Sequence, residues 1–173
     1  VKLGYESKED WIRFKMKASK SIPEKMERVN NLIKEKYNLK VLSFKKKKEL
    51  LPYAKPLFNT LNLAFSNLYG YSELTEKEID RLVKNYFTFI NPELVCIVVD
   101  EKDEVVAFGI SMPTLSKAFQ KAKGKLFPFG FIHILKALKN MDEIDLYLTG
   151  VHPDWQKKGV NSHYHVEMNK AFI

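Results

Sequence analysis

The sequence predicts an α/β fold in which helices cover both faces of a mixed sheet. The first observation is a hairpin pattern: two apolar runs rich in β-branched residues, residues 94–99 and 104–113, flank a charged turn at residues 100–103. Their near-continuous apolarity indicates strands that are buried on both sides. The second observation is that segments with apolar residues at helical spacing lie on either side of this hairpin along the chain.

The first elements of the chain are a strand, a helix and a second strand. Residues 10–18 alternate between apolar and polar side chains, which predicts a strand. Residues 21–37 have apolar positions at helical spacing, and Ser21 with Glu24 three residues later is typical of a capping box. Residues 39–44 form a short apolar run that predicts the next strand.

Two helices are predicted before the hairpin. The first covers residues 49–70, and the second covers residues 75–90, where Thr75 and Glu78 form another capping-box pattern. After the hairpin, a connection over residues 115–140 contains a helix at about 131–139. Within it, residues 128–131 (PFGF) predict either an apolar wall beside a binding site or ordinary core packing, and core packing is favoured.

The last two elements are a strand over residues 143–151 and a helix that begins near Val160. From residue 39 the predicted order is therefore β-α-α-β-β-(α)-β-α.

Composition limits the classes of function. The chain has 173 residues and 45% apolar residues, enough for one domain with a sizeable core. Its single cysteine, Cys96, lies in an apolar run and can form neither an internal disulfide nor a metal cluster, which indicates a reduced, cytoplasmic compartment. No run of 18 apolar residues occurs, so we expect no membrane partner.

The formal net charge of +8 favours an anionic partner. Nucleic acid, anionic lipid and a phosphorylated small molecule all fit that charge. Nucleic acid is unlikely, because the cations are scattered and the aromatic residues occur at core spacing.

The segment between the last strand and the last helix carries the strongest functional signal. A helix N-terminus leaves backbone N–H groups unpaired and binds phosphate readily. Gly159 lets the backbone approach such a ligand closely, and Lys157 and Lys158 add positive charge beside it. A plain strand-to-helix turn would have the same pattern, so both interpretations remain. Neither GxGxxG nor GxxxxGK[ST] is present, which disfavours Rossmann and P-loop chemistry.

Residues 150–161, GVHPDWQKKGVN, resemble the acyl-CoA binding segment of the GNAT (GCN5-related) N-acyltransferase superfamily. That family's pattern is V-x-P-x-x-Q/R-x-x-G-x-G/A, and the chain matches it at Val151, Pro153, Gln156 and Gly159. It departs at the last position, which is Asn161. The predicted element order agrees with the family's order, and residues 39–173 are similar to a YghO-like bacterial subgroup.

The resemblance implies an acyl-CoA co-substrate, with acetyl-CoA the first expectation, and no metal. The backbone of residues 148–151 would pair with the pantetheine arm, and the N–H groups of residues 157–161 would hold the pyrophosphate. Gln156 would shape the loop. The implied cofactor-binding residues are Leu148, Thr149, Gly150, Val151, Gln156, Lys157, Lys158, Gly159, Val160 and Asn161.

The implied reaction is acyl transfer from CoA to a small-molecule or other amine acceptor, which needs a base to deprotonate the amine. The candidates near the last strand are Tyr147, Glu143 and His152, and the sequence does not single out one of them. The alternative function is a non-catalytic GNAT-fold protein that binds CoA or another ligand.

The resemblance also implies a domain organisation. Residues 1–37 form a strand and a helix, similar to the tail of a preceding GNAT-like half, and residues 38–173 form a GNAT core without its last strands. We therefore expect a fold that is incomplete at the C-terminus, within a longer protein. An open edge strand could pair with a second copy in a homodimer.

Overall fold

The computed structural model describes residues 4, 10, 12–15, 17, 21–87, 90–140 and 142–172. In this part of the chain the elements are α1 (Glu24–Lys36), β1 (Lys40–Ser43), α2 (Lys47–Phe65), α3 (Glu76–Tyr86), β2 (Val95–Val99), β3 (Val105–Pro113), α4 (Ser116–Lys121), α5 (Gly130–Leu138), β4 (Ile144–Val151) and α6 (Ser162–Phe172). Short 3-10 turns precede β2, at Pro92–Leu94, and follow β4, at Pro153–Trp155. The predicted order of elements from residue 39 is confirmed except between β3 and β4, where the structure has the additional helix α4 before the predicted one.

The four described strands form one sheet in the order β1-β2-β3-β4, and every neighbouring pair is antiparallel. The α/β class is confirmed, but these strands do not form the mixed sheet that we expected. The reason lies in the connections. A parallel neighbour needs a crossover that returns the chain to the starting end of the sheet. The two helices between β1 and β2 return the chain to the end of the sheet at which β1 stops. β2 starts there and therefore runs antiparallel to β1.

Helices cover both faces of the sheet, as predicted. On one face α2 packs on the alternate strand residues Val95, Ile97 and Phe108. On the other face α1 packs on Val98 and Val106, and α6 contacts Cys96. The continuous apolar runs of β2 and β3 therefore have a direct cause, because both sides of these strands are buried.

The strand expected over residues 10–18 is not formed by its described members, residues 10, 12–15 and 17; residues 11, 16 and 18 lie outside the described part. Two cations of this segment instead make ion pairs with the start of β4. Arg13 pairs with Asp145, and Lys15 Nζ lies 3.1 Å from Glu143 Oε1. These ion pairs form without hydrogen bonds between backbones. The alternation of apolar and polar residues in this segment therefore does not show that it is a strand. The boundary at residues 37 and 38 stays a prediction.

One of the two predicted capping boxes is formed. Thr75 accepts a hydrogen bond from the Glu78 N–H at the start of α3, and Glu78 accepts one in return from the Thr75 N–H. The box at Ser21 is not formed, because α1 begins at Glu24 and Pro23 takes the cap position. A proline side chain offers no acceptor there.

The turn between α2 and α3 is held by one buried amide side chain. Asn62 Nδ2 donates to the Leu74 carbonyl at 2.8 Å, and Asn62 Oδ1 accepts from the Leu74 N–H at 2.9 Å. The Tyr71 hydroxyl donates to the same oxygen at 2.5 Å. Asn62 therefore replaces the backbone partners that this turn lacks.

Replacing Asn62 by Ala is expected to lower the free energy of unfolding by about 2–3 kcal/mol, because Leu74 would lose both partners while partly buried. Urea denaturation followed by circular dichroism measures the change. Asn31→Ala on the exposed face of α1 is the control and should change stability by less than about 0.5 kcal/mol. An equally small effect of Asn62→Ala would contradict this role for the amide.

The side chain of His163 on α6 is completely buried, and neither ring nitrogen has a hydrogen-bond partner among the described residues. Burial lowers the pKa of His163 from 6.5 to about 4; the charge of Lys34 on α1 lowers it further, and Glu167 opposes the shift. The folded protein therefore holds a neutral imidazole at pH values where the unfolded chain binds a proton.

This difference makes stability depend on pH. The contribution of neutral His163 is complete above pH 6.5 and is lost as the pH falls toward 4, since only the unfolded state gains a proton in that range. The expected loss is about 3 kcal/mol. His163→Phe should remove this part of the slope in denaturation series between pH 7 and 4, while His133→Gln on exposed α5 should leave it unchanged. Equal slopes in the His163→Phe variant and the parent protein would disprove the assignment.

Candidate functional site

A cleft of about 600 Å³ lies where β4 ends and α6 begins, and its size is typical of small-molecule sites. The end of α2 forms one wall. The lining residues are Ala64, Phe65, Leu68, Thr149, Gly150, Val151, Trp155, Gln156, Lys157, Gly159, Val160, Asn161 and Tyr164. Eight of the ten residues that the resemblance implies for the cofactor are among them. The other two, Leu148 and Lys158, do not line the cleft: Leu148 packs on the core beneath α2.

The backbone of β4 is available for pairing because no other described strand lies along its outer edge. The His152 N–H donates to the Val106 carbonyl at 2.8 Å, which makes these two residues a hydrogen-bonded pair of the antiparallel ladder. Polar backbone groups alternate in direction along a strand. Gly150 therefore bonds toward β3, and Thr149 and Val151 present their N–H and C=O groups to the open edge.

Gln156 closes one end of that edge. Its Nε2 atom donates to the Val151 carbonyl at 3.2 Å, so the side chain ties the loop after β4 back to the strand. Both outward backbone groups of Thr149, and the N–H of Val151, then have no hydrogen-bond partner in the described part of the chain. This is the position at which an extended amide-bearing ligand can add to the sheet.

Two glycines allow the cleft to form. A Cβ on Gly150 would lie 2.6 Å from the ring of buried Phe108, so only glycine fits over that ring. Gly159 has φ +78°, in the left-handed region that favours glycine, and a Cβ there would meet Ile33 of α1 at 2.7 Å. The loop's conformation therefore requires glycine at position 159, and a larger residue there would also displace the end of the Ile33 side chain.

The loop between β4 and α6 has the character of an anion cradle. Among the described residues, the backbone N–H groups of residues 157–161 make no hydrogen bond of normal geometry to a backbone carbonyl. Lys157 has φ +61° and Gly159 is also left-handed, a backbone pattern that bends successive N–H groups toward a common centre. Lys157 is the one charged lining residue in the described cleft. The cleft thus combines N–H donors, one cation and the N-terminal end of α6.

Lys158 projects elsewhere. Its Nζ atom lies 4.7 Å from the ring centroid of Trp155 and 5.6 Å from that of Tyr37, distances at which cation–π attraction operates. Tyr37 and Trp155 also meet edge to face, with centroids 5.7 Å apart. Lys158 therefore fastens the loop to α1 through this aromatic pair.

None of the three candidate bases lines the cleft. Tyr147 is 59% exposed on β4, where the register with β3 shifts between Ile110 and Ser111 and leaves Tyr147 without a partner in a β-bulge. Glu143 lies at the opposite end of β4, and hydrogen bonds from Lys15 and Lys117 hold its pKa below the ordinary value. A carboxylate held in this way is a weaker base.

His152 is closer to the cleft but is engaged with its own turn. Its Nδ1 atom accepts a hydrogen bond from the Asp154 N–H at 3.3 Å and so caps the 3-10 turn. The structure therefore brings the cofactor-type residues together and places the candidate bases outside them.

Tyr164 is the titratable lining residue that sequence reasoning missed. It is buried on α6, and it also borders the cleft. Burial raises the pKa of its hydroxyl, and a hydrogen bond with Thr149 opposes that rise. Ala64, Phe65 and Leu68 were missed as well, because the sequence near residue 65 does not indicate that α2 packs against the loop after β4.

A scan of the chain against models of protein families finds no match, and a search of curated proteins finds none either. Among solved structures, the chain is similar to an apo form of a mutant agmatine N-acetyltransferase, with a TM-score of 0.43 and 12% sequence identity. The similarity covers 77% of this chain and 69% of that chain.

Proposed function

We propose that the protein transfers an acyl group from acyl-CoA to an amine. The observation that carries the proposal is the convergence of eight of the ten expected cofactor residues on one cleft, between an open strand edge and a helix N-terminus. Three of these residues, Val151, Gln156 and Gly159, also match the acyl-CoA pattern in sequence, and the cleft has the polarity that the ligand requires.

The fit can be followed along the ligand. A pyrophosphate suits the unpaired N–H groups of residues 157–161 with Lys157 beside them. The amides of a pantetheine arm suit the outward backbone groups of Thr149. In the transfer, the amine nitrogen forms a bond to the thioester carbonyl carbon, the carbon–sulfur bond breaks, and CoA leaves as the thiol with a proton from the amine.

A second candidate function is binding of CoA or a similar ligand without turnover. The observation that favours it is the chemistry of the lining residues. In the described cleft no carboxylate or imidazole is among the lining side chains, and burial raises the pKa of the Tyr164 hydroxyl above its ordinary value of 10. A hydroxyl with a raised pKa is a poor base near neutral pH.

The first test is calorimetric titration of acetyl-CoA, and then of a longer acyl-CoA, into the protein. We expect micromolar binding, which Asn161→Trp should abolish by filling the cleft. Asn161 is exposed and lines the cleft, whereas any side chain on Gly159 would press on α1. Ser116→Trp at exposed α4 is the control of equal bulk. Absence of binding by every CoA ester would refute both candidate functions that involve CoA.

A second test separates transfer from binding. Release of the CoA thiol during incubation with a panel of amines can be followed with a thiol-reactive dye. The protein contributes little background, because its single cysteine, Cys96, is buried and burial raises its pKa to about 12. Thiol release that depends on the amine supports the transferase, and binding without release supports the ligand-binding protein.

A further inference from the structure

The connection between β3 and β4 has an unusual distribution of charge. Residues 115–140 contain six lysines and one histidine and no Asp or Glu. Six of the eight net positive charges of the protein therefore lie on 26 of its 173 residues. The segment forms α4, α5 and the turn between them, and we call it the α4–α5 unit.

The α4–α5 unit also exposes large apolar side chains. Phe129 in the turn is 69% exposed, and Leu135 on α5 is 52% exposed. On α5, Phe131 and Ile132 lie on the same face as Leu135. The other exposed apolar members are Phe119, Leu126 and Phe127. Core packing, the favoured interpretation of residues 128–131, is therefore wrong for Phe129.

The apolar face lies directly beside cations. The adjoining side of α5 carries His133 and Lys136, which face Lys117 and Lys121 of α4 across a cleft of about 460 Å³. Lys117 pairs with Glu143 at 3.2 Å. Among the described residues, Lys121 and Lys136 have no carboxylate within ion-pair distance. Asp142 and Glu143 also line this cleft, but neither forms an ion pair with Lys121 or Lys136, so the charges of these two lysines are available to an external anion.

An exposed apolar patch of this kind marks an interaction surface. The chemistry of the patch selects the partner, because its exposed groups are mostly aromatic rings, aliphatic side chains and unpaired cations. Aromatic and leucine side chains suit the boundary between headgroups and acyl chains, and lysines suit anionic headgroups. A protein partner would ordinarily be matched by charges of both signs, and this unit has no acidic residue.

We propose that the α4–α5 unit is an interfacial docking surface for bilayers that contain anionic lipid. Among the described residues, no helix is long and apolar enough to cross a membrane, but interfacial docking needs no crossing. The expectation of no membrane partner rests on that absence alone. Exposed phenylalanines would enter the headgroup region while Lys121 and Lys136 contact lipid phosphates.

The docking surface is separate from the candidate CoA cleft. The α4–α5 unit contacts the start of β4, where the Thr114 N–H donates to the Glu143 carbonyl at 2.9 Å, and the cleft lies at the other end of that strand. A strand of eight residues is roughly 25 Å long. Substitutions on the surface should therefore leave CoA binding unchanged, and the two proposals can fail independently.

The test is sedimentation of the protein with vesicles of phosphatidylcholine alone or with phosphatidylserine added. We expect binding to the vesicles with phosphatidylserine, little binding to the neutral ones, and release as salt rises. The double variant Phe129→Glu/Leu135→Glu should bind at least tenfold more weakly. The double variant Leu32→Glu/Leu51→Glu makes the same change of charge at exposed side chains of α1 and α2; it is the control and should bind as the parent protein does.

Three results would overturn the proposal: no binding to either vesicle, equal binding to both, or binding that the double variant retains. Sedimentation velocity tests whether a second copy of the chain binds the patch instead. Self-association that the double variant abolishes, in a protein that stays off the vesicles, would assign the surface to a second copy of the chain instead. Because the substituted residues are exposed, the double variant should keep the thermal transition of the parent protein.

Discussion

Lys157→Glu is expected to weaken binding of acyl-CoA at least tenfold. Lys157 is the charged lining residue of the cleft, next to the unpaired N–H groups of residues 158–161. A unit charge about 5 Å from a phosphate contributes roughly 3 kcal/mol at an effective dielectric constant of 20. Solvent reaches this exposed side chain and reduces that value, but reversing the charge doubles the difference. A net loss of more than about 1.4 kcal/mol, or tenfold, follows.

Two further variants isolate the charge from the backbone. Lys157→Asn removes the cation while keeping a residue that tolerates positive φ, and it should give a smaller loss than Lys157→Glu. Lys139→Glu, at the end of α5 and far from the cleft, makes the same change of net charge and should leave the dissociation constant unaltered. Calorimetry of acetyl-CoA measures all three. Undiminished affinity in Lys157→Glu would mean that phosphate does not lie in this loop.

Phe108→Ala is expected to lower the free energy of unfolding by about 3–5 kcal/mol, the largest stability effect that we predict. Phe108 has 0% exposure, in the centre of the cluster between α2 and the sheet. Its ring also lies beneath Gly150, in the space that a Cβ would occupy. Truncation would therefore leave a cavity in the core and remove the support under one wall of the cleft.

The measurement is the denaturant midpoint of the variant, with the affinity for acetyl-CoA measured where the variant stays folded. Phe14→Ala makes the same truncation at an exposed side chain and should change stability by less than about 0.5 kcal/mol. We expect Phe108→Ala to weaken ligand binding as well, since Gly150 loses its contact. A loss of stability under 1 kcal/mol would show that the core collapses around the missing ring.

One wall of the cleft could be predicted because its residues are neighbours in sequence. Thr149 to Val151 and most of residues 156–161 form a strand end and the loop before α6, and the cleft depends on local turns at Lys157 and Gly159. The hairpin and α3 were predictable for the same reason. Apolar runs, a charged turn and a capping box act over a few residues, so the sequence contains their cause.

The rest of the cleft could not be predicted, because its parts meet through contacts between distant segments. Phe65 approaches the loop near Gly159 only once α2 has packed on the sheet, and Tyr164 borders the cleft only because α6 lies over β3. The candidate bases are the converse case. Tyr147 and His152 are near the loop in sequence, yet neither lines the cleft. Tyr147 lies in a β-bulge, and His152 caps the 3-10 turn after β4.

Residues that are neighbours in the chain thus determine the order of elements, the burial of β2 and β3 on both sides, and the loop that could hold a phosphate. Long-range packing decides which faces are left uncovered. The periodicity of residues 131–139 predicts a helix with an apolar stripe, but not that α5 leaves Leu135 exposed among lysines. An apolar stripe in a predicted helix shows that these residues are apolar, but not that they are buried. Whether another element covers that stripe depends on contacts that no local pattern contains.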